Sequence, residues 1–125
     1  MTPTPAFFPG RAAIDAYGNG GFRFAGMSHK GSLLCLADGI HGWDALDGQV
    51  LGPAELAPVL ARLSVPMFLL LGTGRRQVFP ELAVRRAFLD AKIGLDVMDT
   101  GAACRTYNVL LAEQRPVVAA LVAVD

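Results

Sequence analysis

Apolar positions along the chain change their period from two, to unbroken runs, to the spacing of a helix face, and each change predicts an element. In "AAIDAYGNGGFRFAG" apolar residues flank Asn19-Gly20, and Phe22, Arg23 and Phe24 then alternate. Asn-Gly tolerates the positive φ of a tight turn, so this stretch predicts a β-hairpin. "MSHKG" reads as a loop, and "SLLCLA" as a strand covered on both faces, with Cys35 in the core. "DGIHGWDALDGQ", rich in Gly and Asp around the single tryptophan Trp43, reads as a short strand or turn region.

From Pro53 the apolar residues Leu56, Val59, Leu60 and Leu63 follow one helical face, with Pro53 suited to the first helical position. Pro58 lacks a backbone donor, which predicts a kinked or late-starting helix. "VPMFLLL" reads as a central strand. After "GTGRRQVF" and Pro80, the positions Val84, Ala87, Phe88 and Ala91 predict a second helix ended by Gly94, and "LDVM" a third short strand. Strand, helix and strand with short loops form a parallel βαβ unit with right-handed crossover. Its geometry puts "GTG" and "DTG" at the same carboxyl edge of the sheet, where open α/β sheets seat ligands. A helix over 100–114 and the strand "VVAALVAV" complete an α/β fold. It is a three-layer α/β/α arrangement with a central mixed sheet, made mixed by the antiparallel N-terminal hairpin.

Composition narrows the partners. At 125 residues, 53% apolar and 18% charged, the chain supports one domain over residues 1–125, with residues 1–11 ("MTPTPAFFPGR") as an extended arm rather than a targeting helix. Eleven basic and eleven acidic residues cancel, leaving no basic stripe for nucleic acid. The longest apolar runs fall short of the ~20 residues that a spanning helix needs, so no direct membrane insertion is expected. Two cysteines without a signal-peptide pattern suit reduced thiols in a cytoplasm.

Chemistry concentrates in "DTGAACRTYNVLLAEQR", residues 99–115. Asp99 or Thr100 suits a helix cap, and Gly101, Ala102 and Ala103 let another segment, or an anion, approach closely. At 100° per residue Cys104 shares a face with Ala103, Tyr107, Leu110 and Leu111, opposite Arg105, Thr106, Asn108 and Glu113. That face is apolar. A nucleophilic thiol needs a base, and His29 and His41 lie in unrelated loops, so Cys104 reads as a core thiol. Arg105 reads as an anchor for the carbonyls of an adjacent loop or as a recognition residue for a carboxylate or phosphate. Tyr107 reads as a core aromatic with a polar tip, and Asn108 as a clamp on a neighbouring turn. "GTGRR", with Gly72, Thr73, Gly74, Arg75 and Arg76, has the character of a phosphate loop without the spacing of a dinucleotide fingerprint or P-loop, and "GNGGF" fails the same test. No close ligand pair suggests a metal, and no cofactor is implied.

Together "YGNGGFRFAG", "GSLLCL", the Trp43 segment, "FLLLGTG" and "MDTGAACRTYNVLLAEQRPVVAALV" resemble a family of small, largely uncharacterised proteins. It is the family that includes mitochondrial NADH:ubiquinone oxidoreductase (complex I) assembly factor 3. The resemblance runs from about Ile14 to Val124 and implies a three-layer α/β/α fold with a mixed sheet, no established enzymatic activity, and, in the mitochondrial relative, assembly of a respiratory complex through protein contacts. By the family pattern the positions of interest are Gly72, Thr73, Gly74, Asp99, Thr100, Gly101, Arg105, Thr106, Tyr107 and Asn108. The composition suits a bacterial protein. Sequence and resemblance thus point to a non-catalytic protein-interaction module with a protein partner, and leave its oligomeric state open. The alternative is a small-molecule or anion-binding protein, or an enzyme, with its cleft between Gly72–Gly74 and Asp99–Gly101.

Overall fold

A computed structural model of the chain describes residues 8–64 and 67–125. The elements among them run β1 (Ala16–Gly18), β2 (Gly21–Phe24), β3 (Met27–Lys30), β4 (Ser32–Leu36), β5 (Gly39–Trp43), α1 (Pro53–Leu60), β6 (Met67–Gly72), α2 (Leu82–Asp90), β7 (Ile93–Met98), α3 (Thr100–Ala112) and β8 (Val118–Leu121). Residues 1–7 of the expected arm, and Val65 and Pro66 at the start of "VPMFLLL", lie outside the described residues. From Phe8 onward the arm is tied down, because Phe8 bridges Ile40 on β5.

The principal sheet has the order β5-β4-β8-β6-β7, and β1-β2-β3 form a second, antiparallel sheet. β6 is parallel to both β7 and β8, whereas β4 is antiparallel to β8 and to β5. The principal sheet is therefore mixed because of β4 and β5; the N-terminal hairpin belongs to the separate sheet. From β6 to β7 the chain steps outward, and from β7 to β8 it steps back across β6. Two right-handed crossovers in opposite directions must put their helices on opposite faces. Accordingly α2 packs with α1 on one face through Val84, Phe88, Leu56 and Val59, while α3 packs on the other through Ala103, Cys104 and Tyr107, beside Phe22 and Phe24 of the small sheet. β6 and β8 are covered on both sides, which is why their segments read as unbroken apolar runs.

The Asn19-Gly20 turn forms as its residue types predict, with φ of 53° and 79°. "MSHKG" differs from the expected loop, because Met27–Lys30 is strand β3, paired to β2 through Phe22↔His29 and Arg23↔Ser28. Its turn is Ala25-Gly26, with φ of 50° and 76°. Alanine rarely takes that conformation, so the sequence carries no warning of the turn.

α1 starts at Pro53 as expected, and the Gly52 amide donates to the Glu55 carboxylate at 2.8 Å. Pro58 lies inside this helix, only two residues before its end, so it neither delays the start nor prevents formation. Gly94 does not end α2. That role falls to Lys92 at φ 61°, while Gly94 lies within β7, where a Cβ would come to 2.9 Å from the Phe68 Cβ. α2 is held to the sheet by Val84 and Phe88, the latter 2% exposed. Phe88→Ala should therefore lower stability by about 3–5 kcal/mol, read as a shift in the denaturant midpoint, with α2 amide protection lost first.

Candidate functional site

β6 and β7 end side by side, which brings Gly72–Gly74 against Asp99–Gly101. Thr73 N–H donates to the Met98 carbonyl, and Thr100 N–H to the Gly74 carbonyl, each at 2.9 Å. The buried Thr100 hydroxyl donates to the Val122 carbonyl at 2.7 Å and accepts from Gly74 N–H at 2.9 Å. One side chain thus ties α3, the loop after β6 and the end of β8. The Thr73 hydroxyl donates to the Arg76 carbonyl at 2.6 Å and accepts from Val78 N–H at 2.9 Å, closing the "GTGRRQV" loop on itself. A Cβ on Gly72 would lie 3.0 Å from the Thr100 Cα, so the glycine sets how closely α3 approaches β6.

The loops are further engaged by residues that the sequence did not single out. Asp47 accepts from Arg75 N–H at 3.1 Å and occupies the space where Gly74, at φ 109°, would carry a side chain. The Tyr17 hydroxyl sits over Gly101 in the same manner. Gln77 donates from Nε2 to the Val97 carbonyl at 2.9 Å. These contacts join segments far apart in the chain, and no local pattern signals them.

α3 is capped as its first residues predict: the Asp99 carboxylate accepts from Ala102 N–H at 2.9 Å. Gly74 and Asp99 thereby satisfy two of the donors that would greet an anion. Arg105 is exposed and makes no side-chain hydrogen bond to another described residue, so the expected loop anchor is corrected. Arg11 does that work, donating to the carbonyls of Arg115 and Val117 at 3.1 Å each. Asn108 clamps Ile14, accepting from its N–H and donating to its carbonyl, both at 2.8 Å. The Thr106 hydroxyl reaches the Met98 sulfur at 3.7 Å. Arg75 and Arg76 point outward. The patch therefore divides into a bonded seam (Gly72, Thr73, Gly74, Asp99, Thr100, Gly101), a clamp on the N-terminal segment (Asn108), and exposed cations (Arg75, Arg105).

Cys104 is buried among apolar residues, as the helical phase predicts, and so is Cys35. Desolvation pushes both thiols from 9.0 up to about 12; the Arg105 charge opposes this at Cys104, and the Tyr107 hydroxyl opposes it at Cys35. Burial also raises the Tyr107 phenol. Neither histidine serves the thiols. Both lie on strands rather than in loops; His29 Nε2 bonds the Ser32 carbonyl at 3.2 Å and His41 Nε2 bonds Asp38 at 3.1 Å. Among the described residues no three His, Cys, Asp or Glu gather as a metal site, and no helix is long and apolar enough to cross a membrane.

Residues 14–122 match the family described as "Protein of unknown function (DUF498/DUF598)". The chain belongs to this family. An uncharacterised protein of Rhodobacter capsulatus is 35% identical over 121 residues, covering 97% of this chain and 92% of its own. Among solved structures, one described as an outer membrane protein from Bartonella henselae is 49% identical, with a TM-score of 0.84 over 94% of this chain and 99% of that one. A Bordetella pertussis protein described as a Mth938-like domain is 28% identical, with a TM-score of 0.68 over 90% and 85% of the two chains. This DUF498 chain therefore has the mixed α/β fold of these relatives.

Three outcomes follow from the seam and the thiols. Thr100→Val removes a hydroxyl that serves a buried donor and a buried acceptor at once; it should lower stability by about 2–3 kcal/mol in chemical denaturation, while Thr100→Ser retains most of it. Thiols raised to about 12 stay protonated in the folded chain, so iodoacetamide at pH 8 should label neither Cys35 nor Cys104 until the protein unfolds. The unfolded thiol loses its proton near 9.0 and the folded one only near 12, so the unfolded chain binds fewer protons in that window. Unfolding free energy measured against pH should fall as pH rises from about 9 towards 12.

Proposed function

We infer that the protein is a non-catalytic interaction module that takes an extended strand of a protein partner along the open edge of β7. The observation that carries this reading is the position of β7 at the end of the principal sheet, where among the described residues β6 alone pairs with it. Successive residues of a strand aim their N–H and C=O groups to alternate sides. Met98 turns its carbonyl to Thr73 and so faces β6; Val97, Leu95 and Ile93 face the open side. Gln77 covers the Val97 carbonyl with its side chain, and a strand partner would supply a ladder for the others.

Beside this edge runs a groove of about 490 Å³, lined by Phe79, Arg85, Leu89, Leu95 and Val97 among others. Phe79 is 57% exposed and Leu89 76% exposed. The Arg85 guanidinium lies 5.9 Å from the Phe79 ring centroid, fixing that ring at the rim. A groove with exposed apolar walls next to unpaired backbone groups suits side chains that alternate from an added strand. The seam between Gly72–Gly74 and Asp99–Gly101 is read as the brace that holds β7 in place, since its hydroxyls and amides are engaged within the chain. Those bonds weigh against the alternative of an open small-molecule cleft there.

The likeness to the complex I assembly factor family supports a partner belonging to a membrane-bound complex, met from the cytoplasmic side. The Bartonella relative, described as an outer membrane protein, supports a membrane setting. Affinity capture under mild conditions, with the partner identified by mass spectrometry, tests the reading. Capture should be lost in Phe79→Ser/Leu89→Lys and kept in Leu46→Lys, which alters a residue 69% exposed elsewhere. In the purified complex the Leu95 and Val97 amides should exchange more slowly. No specific partner, or one retained by the groove variant with those amides unprotected, removes this function.

A further inference from the structure

The small sheet carries a feature that strand addition at β7 does not use. Its strands align two rows of residues on the face away from the core: Ala16, Arg23 and Ser28 in one, Gly18, Gly21 and Lys30 in the next. Phe22, Phe24 and His29 turn to the inner face and are buried. Gly18 has open space where a side chain would stand, whereas Gly21 is buried with the His29 carbonyl in that place, and a trough of about 320 Å³ lies against these strands.

The walls are cationic. Arg23 and Lys30 stand diagonally across two paired strands, a relation that separates Cβ atoms by roughly 7–8 Å, and both line the trough. The Ser28 hydroxyl stands directly opposite Arg23. Among the described residues neither Arg23 nor Lys30 forms an ion pair, and no acidic one lines the trough. In a chain whose eleven positive and eleven negative groups cancel, this is a local excess of donors without acceptors. The floor is also pinned: Gly20 N–H donates to the Val124 carbonyl at 2.8 Å, and Gly31 N–H to the Gly20 carbonyl at 2.7 Å.

We propose that this trough binds a phosphate group, with the Arg23 guanidinium, the Lys30 ammonium and the Ser28 hydroxyl each meeting one of its oxygens. Arginine supplies a planar fork and lysine a mobile point charge, a combination suited to the tetrahedral dianion, and the open space at Gly18 leaves room for it. The same chemistry is presented by a soluble phosphate ester and by a lipid headgroup. Binding here is independent of the β7 edge.

The test uses the whole chain with two probes, inorganic phosphate followed by amide NMR and phosphatidic acid vesicles followed by co-sedimentation, with phosphatidylcholine vesicles as reference. Saturable shifts centred on Gly21, Ser28 and Lys30 are expected with phosphate. Affinity should fall at least tenfold in Arg23→Gln/Lys30→Gln and hold in Arg86→Gln/Lys92→Gln, which removes the same charge from an exposed part of α2 and its end. Response to phosphate alone assigns a soluble ester, and additional capture by phosphatidic acid vesicles with the same variant dependence assigns a headgroup. Arg23 and Lys30 are exposed and unbonded, so the variant should keep the wild-type amide spectrum elsewhere; Ser28→Ala, with a smaller loss, provides a second reading. Absence of saturable binding of both probes, or equal loss in the two charge variants, overturns the proposal.

Discussion

The structure depends on burying β6 and β8 from both sides. Leu69, Leu70 and Leu71 lie beside Val118, Ala119, Ala120 and Leu121, and none of these side chains reaches water. A strand pair of that kind is stable only if two separate layers cover it, since apolar area left open on either face forfeits roughly 25 cal/mol per Å². α1 and α2 supply one cover. The other is built from α3 and the small antiparallel sheet, because a single helix does not span five strands. The N-terminal strands are thus a structural layer, with Phe22 and Phe24 as the parts that close the core.

Covering both faces obliges the chain to cross its sheet twice, and the crossings meet at one point, the seam of Thr73 and Thr100. There the loop after β6 must turn away, α3 must start, and β8 must leave the sheet, all within a volume that excludes water. Threonine suits such a place, because its hydroxyl both donates and accepts and so satisfies two backbone groups at once. Glycine at 72 keeps α3 and β6 close enough for those bonds to form. What resembles a ligand loop in the sequence is filled by the chain's own donors and acceptors.

The surfaces that remain open are set by the same topology. β7 ends the sheet because the return crossover uses the space between β4 and β6 for β8, leaving no strand among the described residues to pair its outer edge. The small sheet, with its inner face committed to α3 and the core, must present its other face to solvent, and that face bears Arg23 and Lys30. The open β7 edge and the cationic face of the small sheet thereby fall on different elements.

Residue pattern by itself determined the elements whose environment is uniform along their length. β4, β6 and β8 are apolar throughout because both faces are buried; α2 and α3 show one apolar stripe because one side is; Asn19-Gly20 turns because those residues tolerate positive φ. The core position of Cys104 and the cap at Asp99 follow from the same local rules. Only the tertiary structure decided what depends on residues distant in the chain. β3 forms because β2 offers a partner, not because "MSHK" alternates; Arg11 rather than Arg105 holds the loop carbonyls; Asn108 clamps Ile14; and Tyr17 and Asp47 fill the spaces beside Gly101 and Gly74. Periodicity records how much of a segment is buried, but a hydrogen-bond partner is specified by three-dimensional proximity, which the order of residues does not express until the chain has folded.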